Sequence, residues 1–303
     1  METKSRKEKI IYSSLLFLVC FNILAWIVVW DLSKPALLKV DFFDVGQGDA
    51  ILITLPKGQQ ILIDGGPGAT ILEKLGEEMP FWDRTIDLII LTHPEHDHLA
   101  GLLEVLRRYE VKNIMWTGVK KDTAENKEWL KLIEEEKAVI RFASAGQRII
   151  GGKATLEIIY PFTVIAKEST NPEDNNVSEG EFTNTNNTST VSQLVYGNNN
   201  FLFTGDIAQS VEKKIINRGT AIDADVLKIS HHGSKGSSSE EFISRVSPSV
   251  AVISVGKDNQ YGHPASETLE TLKKFAIRVL RTDIDGDIEM TSNGSNILID
   301  GNY

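Results

Sequence analysis

The chain has 303 residues, 41% hydrophobic and 24% charged, the balance of a folded protein with a sizeable core. Its formal net charge of −10 argues against binding nucleic acid through bulk positive charge, so any such contact has to be local or bridged by cations. A single cysteine, Cys20, excludes both a disulfide framework and a cysteine-based zinc site.

Lys4, Arg6, Lys7 and Lys9 precede IIYSSLLFLVCFNILAWIVVW, an uncharged run from Ile10 to Trp30. About 20 helical residues, each rising ~1.5 Å, match a hydrocarbon layer ~30 Å thick, which predicts one transmembrane helix within an N-terminal unit, residues 1–36. The run is longer than the apolar core of a cleavable signal peptide and shows no small-x-small cleavage site. Basic residues ahead of it place the N-terminus in the cytoplasm. Residues 37–303 then form an extracytoplasmic domain of a single-pass cell-membrane protein.

LKVDFFDV (38–45), AILITL (50–55) and QILIDGG (60–66) read as strands separated by turns, so the domain opens as a β-meander. DLIILT (87–92) is a continuous apolar strand, and LAGLLEVLRRY (99–109) has helical spacing. Between them, LTHPEHDH packs three histidines and two acids into a strand-to-helix turn. Further on, NIMWTG, AVIRFA, ATLEIIY, SQLVYG, NFLFTGD, ADVLKIS and SVAVISVG read as strands, with helices expected near 125–136, 208–217, 238–246 and 266–275. Residues 166–190 are polar and poor in large apolar groups, the composition of a flexible insertion.

Four more stretches gather polar residues at strand ends: DVGQGD (44–49), FTGD ending at Asp206, ISHHGS (229–234) and YGHP (261–264). With LTHPEHDH they contain every histidine of the chain: His93, His96, His98, His231, His232 and His263. Imidazole and carboxylate together suit zinc, manganese or iron. Two such ions ~3.5–4 Å apart lower the pKa of a shared water and clamp the oxygens of the group being split. No GK[ST] follows the glycines of DVGQGD, so that stretch is read as a tight turn supporting the site, with Asp49 an acceptor behind it.

The order H-x-E-x-D-H, helix, T-G-D, S-H-H-G-S is similar to the metallo-β-lactamase superfamily, whose usual first motif is H-x-H-x-D-H. DVGQGDA, ILIDGG, LTHPEHDHLAG, FLFTGD, DVLKISHHGSKGSSSEEF, VAVISVG and YGHP resemble its ComEC-like branch, the hydrolase domains of competence DNA-uptake proteins. The resemblance implies an α/β fold, an αββα four-layer sandwich with two divalent metal ions, zinc or manganese, at one edge of the sheets. It also implies roles. His93 and Glu95 bind the first ion, Asp97 and His98 the second, Asp206 bridges them, and His231 completes the second. Asp64 supports the ligands from behind, and Asn187 begins an N-T-S that stands where the superfamily has a third histidine. His232 and His263 contact the substrate or give a proton to the leaving oxygen, with Asp97 the further catalytic group. Ser234 and Lys235 hold a phosphate oxygen, and His96 is solvated. An oxygen ligand at Glu95 moves preference from zinc toward manganese.

The expected function is a membrane-anchored phosphodiesterase or nuclease acting on DNA or another phosphodiester, with a separate channel protein as candidate partner. The metals would supply the positive charge that the acidic chain lacks. Two readings stay open beside it: hydrolysis of a carbon ester, lactone or lactam, and a non-catalytic component of a DNA-uptake complex.

Overall fold

The computed structural model describes residues 2–33, 37–165 and 184–300. Contacts divide the chain into two units, Met1–Ala36 and Leu37–Tyr303. The first holds helix α1 (Glu2–Ser33), in which Glu8–Val29 is long and apolar enough to cross a membrane.

In the second unit the order is β1 (Leu38–Phe42), β2 (Ile51–Thr54), β3 (Gln60–Ile63), α2 (Thr70–Glu78), β4 (Thr85–Ile86), β5 (Leu88–Leu91), α3 (His96–Leu106), β6 (Glu110–Val111), β7 (Asn113–Trp116), α4 (Ala124–Glu135) and β8 (Val139–Phe142). It continues with β9 (Arg148–Gly151), β10 (Ala154–Tyr160), β11 (Val191–Tyr196), β12 (Asn199–Phe203), α5 (Gln209–Asn217), β13 (Val226–Lys228), α6 (Glu240–Val246), β14 (Val250–Ile253), α7 (Ser266–Lys274), β15 (Arg278–Arg281), α8 (Thr282–Asp285), β16 (Ile288–Ser292) and β17 (Ile297–Asp300). One sheet has the order β17-β16-β1-β2-β3-β5-β7-β8 and the other β15-β14-β13-β12-β11-β10-β9.

Side-chain alternation along the strands assigns the layers. In β3, Ile61 and Ile63 face the opposite sheet, where they join Phe42, Leu156, Phe201 and Phe203 in the central core. Leu62 points the other way, into a second core with Leu75, Leu102 and Trp129 from α2, α3 and α4. A third core lies beneath the other sheet, where Leu202 and Leu227 meet Val211, Ile243 and Leu272 from α5, α6 and α7. Three cores between four layers make the αββα sandwich.

The β-meander is present as β1-β2-β3, all antiparallel. From β3 to β8 and from β12 to β15 the pairings are parallel. Parallel strands end on the same side, so the turns after β3, β5, β12 and β13 gather at one edge. Sequence periodicity missed α2 and the C-terminal strands β15, β16 and β17, which are short and carry charges within them. Of the polar segment 166–190, residues 166–183 lie outside the described residues. Thr185–Thr188 form a 3-10 turn held by Asn184, so the end of that segment is a built part of the site wall.

Candidate metal centre

The first half of the site is the turn between β5 and α3. Leu99, Leu102 and Leu106 are buried under the sheet, and that apolar stripe fixes the rotation of the helix. His98, four residues before Leu102, is thereby turned inward. The helix start docks on the ILIDGG loop: Gly65 N donates to His98 O at 2.9 Å, and Gly101 N to Gly66 O at 2.9 Å. Gly101 has to be glycine, because a Cβ there would lie 1.8 Å from Gly65 O.

Asp64, with φ 58°, ends that loop fully buried. Its Oδ1 accepts from Thr92 N at 2.8 Å, and its Oδ2 accepts from Thr92 Oγ1 and from His98 Nδ1, each at 2.7 Å. With its only proton donated to Asp64, the Thr92 hydroxyl accepts from His93 Nδ1 at 2.9 Å. One carboxylate therefore orients two imidazoles, His98 directly and His93 through Thr92. Both present Nε2 to the centre of the site.

The second half is the turn after β13. His231 and His232 have φ 50° and 52°, left-handed values that turn the tandem rings 68° apart. His232 Nδ1 donates to Ser254 O at 2.8 Å, which fixes the tautomer because a carbonyl only accepts. Its Nε2 lies 3.3 Å from Asp97 Oδ2 and 3.4 Å from Asp206 Oδ2. His231 stands at the rim, one-third exposed, with Nε2 3.9 Å from Asp206 Oδ2 and 3.2 Å from Asn186 Nδ2.

Asp206 Oδ2 is the hub. Within 4 Å it has the Nε2 atoms of His93 (3.9 Å), His98 (3.4 Å), His232 (3.4 Å) and His231 (3.9 Å). Two atoms each ~2.1 Å from a tetrahedral ion lie ~3.4 Å apart, so the spacing suits donors around a cation. The Nε2 atoms of His93, His98 and His232 and Asp206 Oδ1 are buried without a hydrogen-bond partner. Such groups are costly unless something binds them. Overlapping donor groups result, among them His93, His98 and Asp206; Asp97, His98 and His232; and Asp49, Asp206 and His232. The buried carboxylates favour protonation of the imidazoles beside them. Burial opposes it, yet Asp206 and its neighbouring carboxylates hold His98 and His232 well above the ordinary histidine range. Burial and the adjacent His98 push His93 down to about 3. Against burial, His232 and His98 keep Asp206 well below the carboxylate range.

Behind His232 lies a group that the sequence reading did not single out. Lys228 is fully buried at the end of β13, with Nζ 2.6 Å from Asp49 Oδ2 and 3.0 Å from Ile229 O. Asp49 Oδ1 lies 3.3 Å from His232 Nδ1, and Asp49 N donates to Asp97 O at 3.2 Å. A lysine inside the apolar run DVLKIS was the available signal.

The structure places the other expected site residues around this centre. His231 was expected on the metal and His232 at the substrate. The left-handed backbone buries His232 among the donors and leaves His231 at the rim, its Nε2 as near Asp206 Oδ2 as that of His93, at 3.9 Å. Glu95, expected on the first ion, stands at the N-cap position of α3, with Oε2 2.5 Å from Lys121 Nζ and Oε1 accepting from Thr185 Oγ1. Asn187, expected to support the ligands from behind, accepts from Ala208 N at 3.1 Å through its Oδ1, Ser189 Oγ of the same N-T-S accepts from Asp206 N at 3.1 Å, and Asn186 touches His231. Lys235 is three-quarters exposed and paired with Glu267 at 2.6 Å, while Ser234 Oγ accepts from Gly236 N, so neither is brought to the hub. His263 is at the rim, its ring 5.6 Å from that of His231 and its Nδ1 buried without a partner. His96 pairs with Glu125 on the surface.

Comparisons with known proteins place the chain in a family. Residues 43–257 match the family model of the metallo-β-lactamase superfamily. ComE operon protein 3 of Bacillus subtilis is 32% identical over 269 residues, covering 83% of this chain and 32% of that protein. Competence protein ComA of Neisseria gonorrhoeae is 35% identical over 113 residues, 37% of this chain and 16% of that protein. The chain thus spans a third or less of the length of these two relatives. Among solved structures, the metallo-β-lactamase fold protein YhfI from Bacillus subtilis superposes with a TM-score of 0.54 at 14% identity, covering 85% of this chain and all of the other, a likeness of fold alone. The fold of this family binds divalent metals, often two. With its family motifs on the strand-end turns and its donors converging on Asp206, the chain belongs to the metallo-β-lactamase superfamily, with ComEC-like competence proteins among its relatives.

Proposed function

We propose that this chain is a metal-dependent phosphodiesterase, DNA among its substrates, held at the outer side of a membrane by α1. The observation that carries the reading is the set of buried, unpartnered Nε2 atoms of His93, His98 and His232 around Asp206 Oδ2. Asp97, His98, His232 and Asp206 would hold one ion. His93 and the remaining capacity of Asp206 would hold another, with fewer protein donors. When bound, divalent ions supply an acidified water and neutralise charge on the oxygens of the group being split. With Glu95 committed to Lys121, the argument for manganese over zinc loses its oxygen donor, and both metals suit the three-imidazole, two-carboxylate set.

The chain's own residues do the rest. Asp64 and Thr92 hold His98 and His93 in one tautomer, and Ser254 O does the same for His232. His231 and His263 form the rim where a substrate enters, and the free Nδ1 of His263 suits proton donation to a leaving oxygen. Support for a nucleic-acid substrate comes from the competence relative. A separate channel protein is the partner this reading implies. The apolar Glu8–Val29 stretch and the basic residues before it support a cytoplasmic N-terminus with the site outside.

The test is metal analysis of protein purified without chelator, together with hydrolysis of a nucleotide diester, nicking of a plasmid and opening of a chromogenic lactam. Metal-dependent diester cleavage is expected. Cleavage of the lactam alone would favour the carbon-ester and lactam reading. Protein that retains metal but hydrolyses none of these substrates would favour a binding component of DNA uptake.

A further inference from the structure

The end of the sandwich opposite the metal centre carries Phe81 and Trp82, 82% and 72% exposed and packed edge to face at 4.8 Å. An aromatic pair so exposed on a loop tip is unexplained by the core. Its position in the sheet is fixed by register. Lys39 stands opposite Thr54, Thr54 opposite Gln60, and Asn113 opposite Val139, so the starts of β1, β3, β7 and β8 form one row across the sheet. Gln60 Nε2 donates to Asp83 Oδ2 at 3.0 Å, and Lys39 pairs with Glu78, so the 79–82 loop is pinned to that row from both sides. The ends that carry Asp64 and His93 are at the other edge.

The same row is where the chain enters the domain. Only residues 34–37 separate α1 from β1, so at any angle between the two units Leu38 stays within ~17 Å of the last residue of α1. Around it, Leu37, Val139 and Ile150 are also exposed, Ile150 beside the Gly151 that packs on Leu55. Tryptophan and phenylalanine are side chains whose rings are stabilised at the lipid headgroup level, and the loop that carries them is tied to the row at which the chain from α1 enters the domain.

We infer that the Phe81–Trp82 tip is a lipid-interface anchor, its rings inserting at the headgroup level of a bilayer. The inference rests on the membrane reading of α1 and is independent of the reaction catalysed. Tyr261, 71% exposed beside His263 at the rim of the metal centre, is the reference position outside the tip.

The experiment uses the full chain in lipid nanodiscs with an environment-sensitive thiol probe at three positions in turn. These are the natural Cys20, position 82 in Trp82→Cys/Cys20→Ser, and position 261 in Tyr261→Cys/Cys20→Ser, each quenched by lipids with nitroxide headgroups or nitroxide tails. Cys20 should be quenched from the tails. Position 82 should be quenched by the headgroup nitroxide at least about threefold more than position 261. Phe81→Cys/Cys20→Ser is a second probe of the tip, with the same expectation. Equal quenching at the tip and position 261, with Cys20 still quenched, would overturn the anchor and leave the membrane span standing. An unquenched Cys20 would overturn both.

Discussion

The turn after β5 and the turn after β13 supply facing halves of one site by different backbone devices. In the first, Asp97 and His98 sit in the opening turn of a regular helix, so the leucines that follow dictate where they point. In the second, His231 and His232 sit in two successive left-handed residues, and nothing downstream has a period that reveals which ring turns inward. A ligand on a helix can be assigned from its phase. A ligand on a strained turn is assigned only by what its ring touches.

The strongest way to break this comparison is at the hub that both turns face. Asp206→Ala should lose at least ~10³-fold in diester hydrolysis and drop metal content below one ion per chain, measured by elemental analysis beside the rate. Retention of two ions would show that the turns bind metal separately. Next in size, Lys228→Met strips the buried Asp49 of its ammonium partner and leaves it His232 Nδ1 at 3.3 Å, at a cost of roughly 3–5 kcal/mol. Urea unfolding should register it as a lower midpoint with an unchanged slope.

The tandem histidines sharpen the contrast directly. His232→Ala should release metal, whereas His231→Ala should keep its metal and lose about 10²-fold in kcat. The opposite pattern would return His231 to the donors. A pH series adds the electrostatic side. In the metal-free protein His98 and His232 are held protonated by Asp206 and its neighbours, and a cation binds only their neutral forms. Metal affinity should therefore rise with pH, and calorimetry in two buffers of different ionisation enthalpy should register at least one proton released per ion. The smallest effect is expected at Glu95→Gln, where metal content stays unchanged and the rate changes less than about tenfold, since the carboxylate already belongs to Lys121.

The family motifs, the membrane-length apolar helix and the buried strand before LTHPEHDH were all readable from residue order. Each is encoded locally, in a short motif or a run of apolar residues. The contacts of Glu95 with Lys121 and Thr185, 26 and 90 residues away along the chain, left no local pattern to read. Lys228 went unnoticed for a related reason: a lysine in an apolar strand gains meaning only once Asp49, from another layer, lies against it.

Residue order by itself determined the succession of strands and helices and which turns would carry imidazole and carboxylate, because periodicity and composition act over a few residues. Only the tertiary structure decided that His232 is buried while His231 stays one-third exposed, which carboxylates lie beside the imidazoles, and that Phe81 and Trp82 stand at the end where the chain enters the domain. Those outcomes depend on distances between segments far apart in the chain, which packing and strand register set.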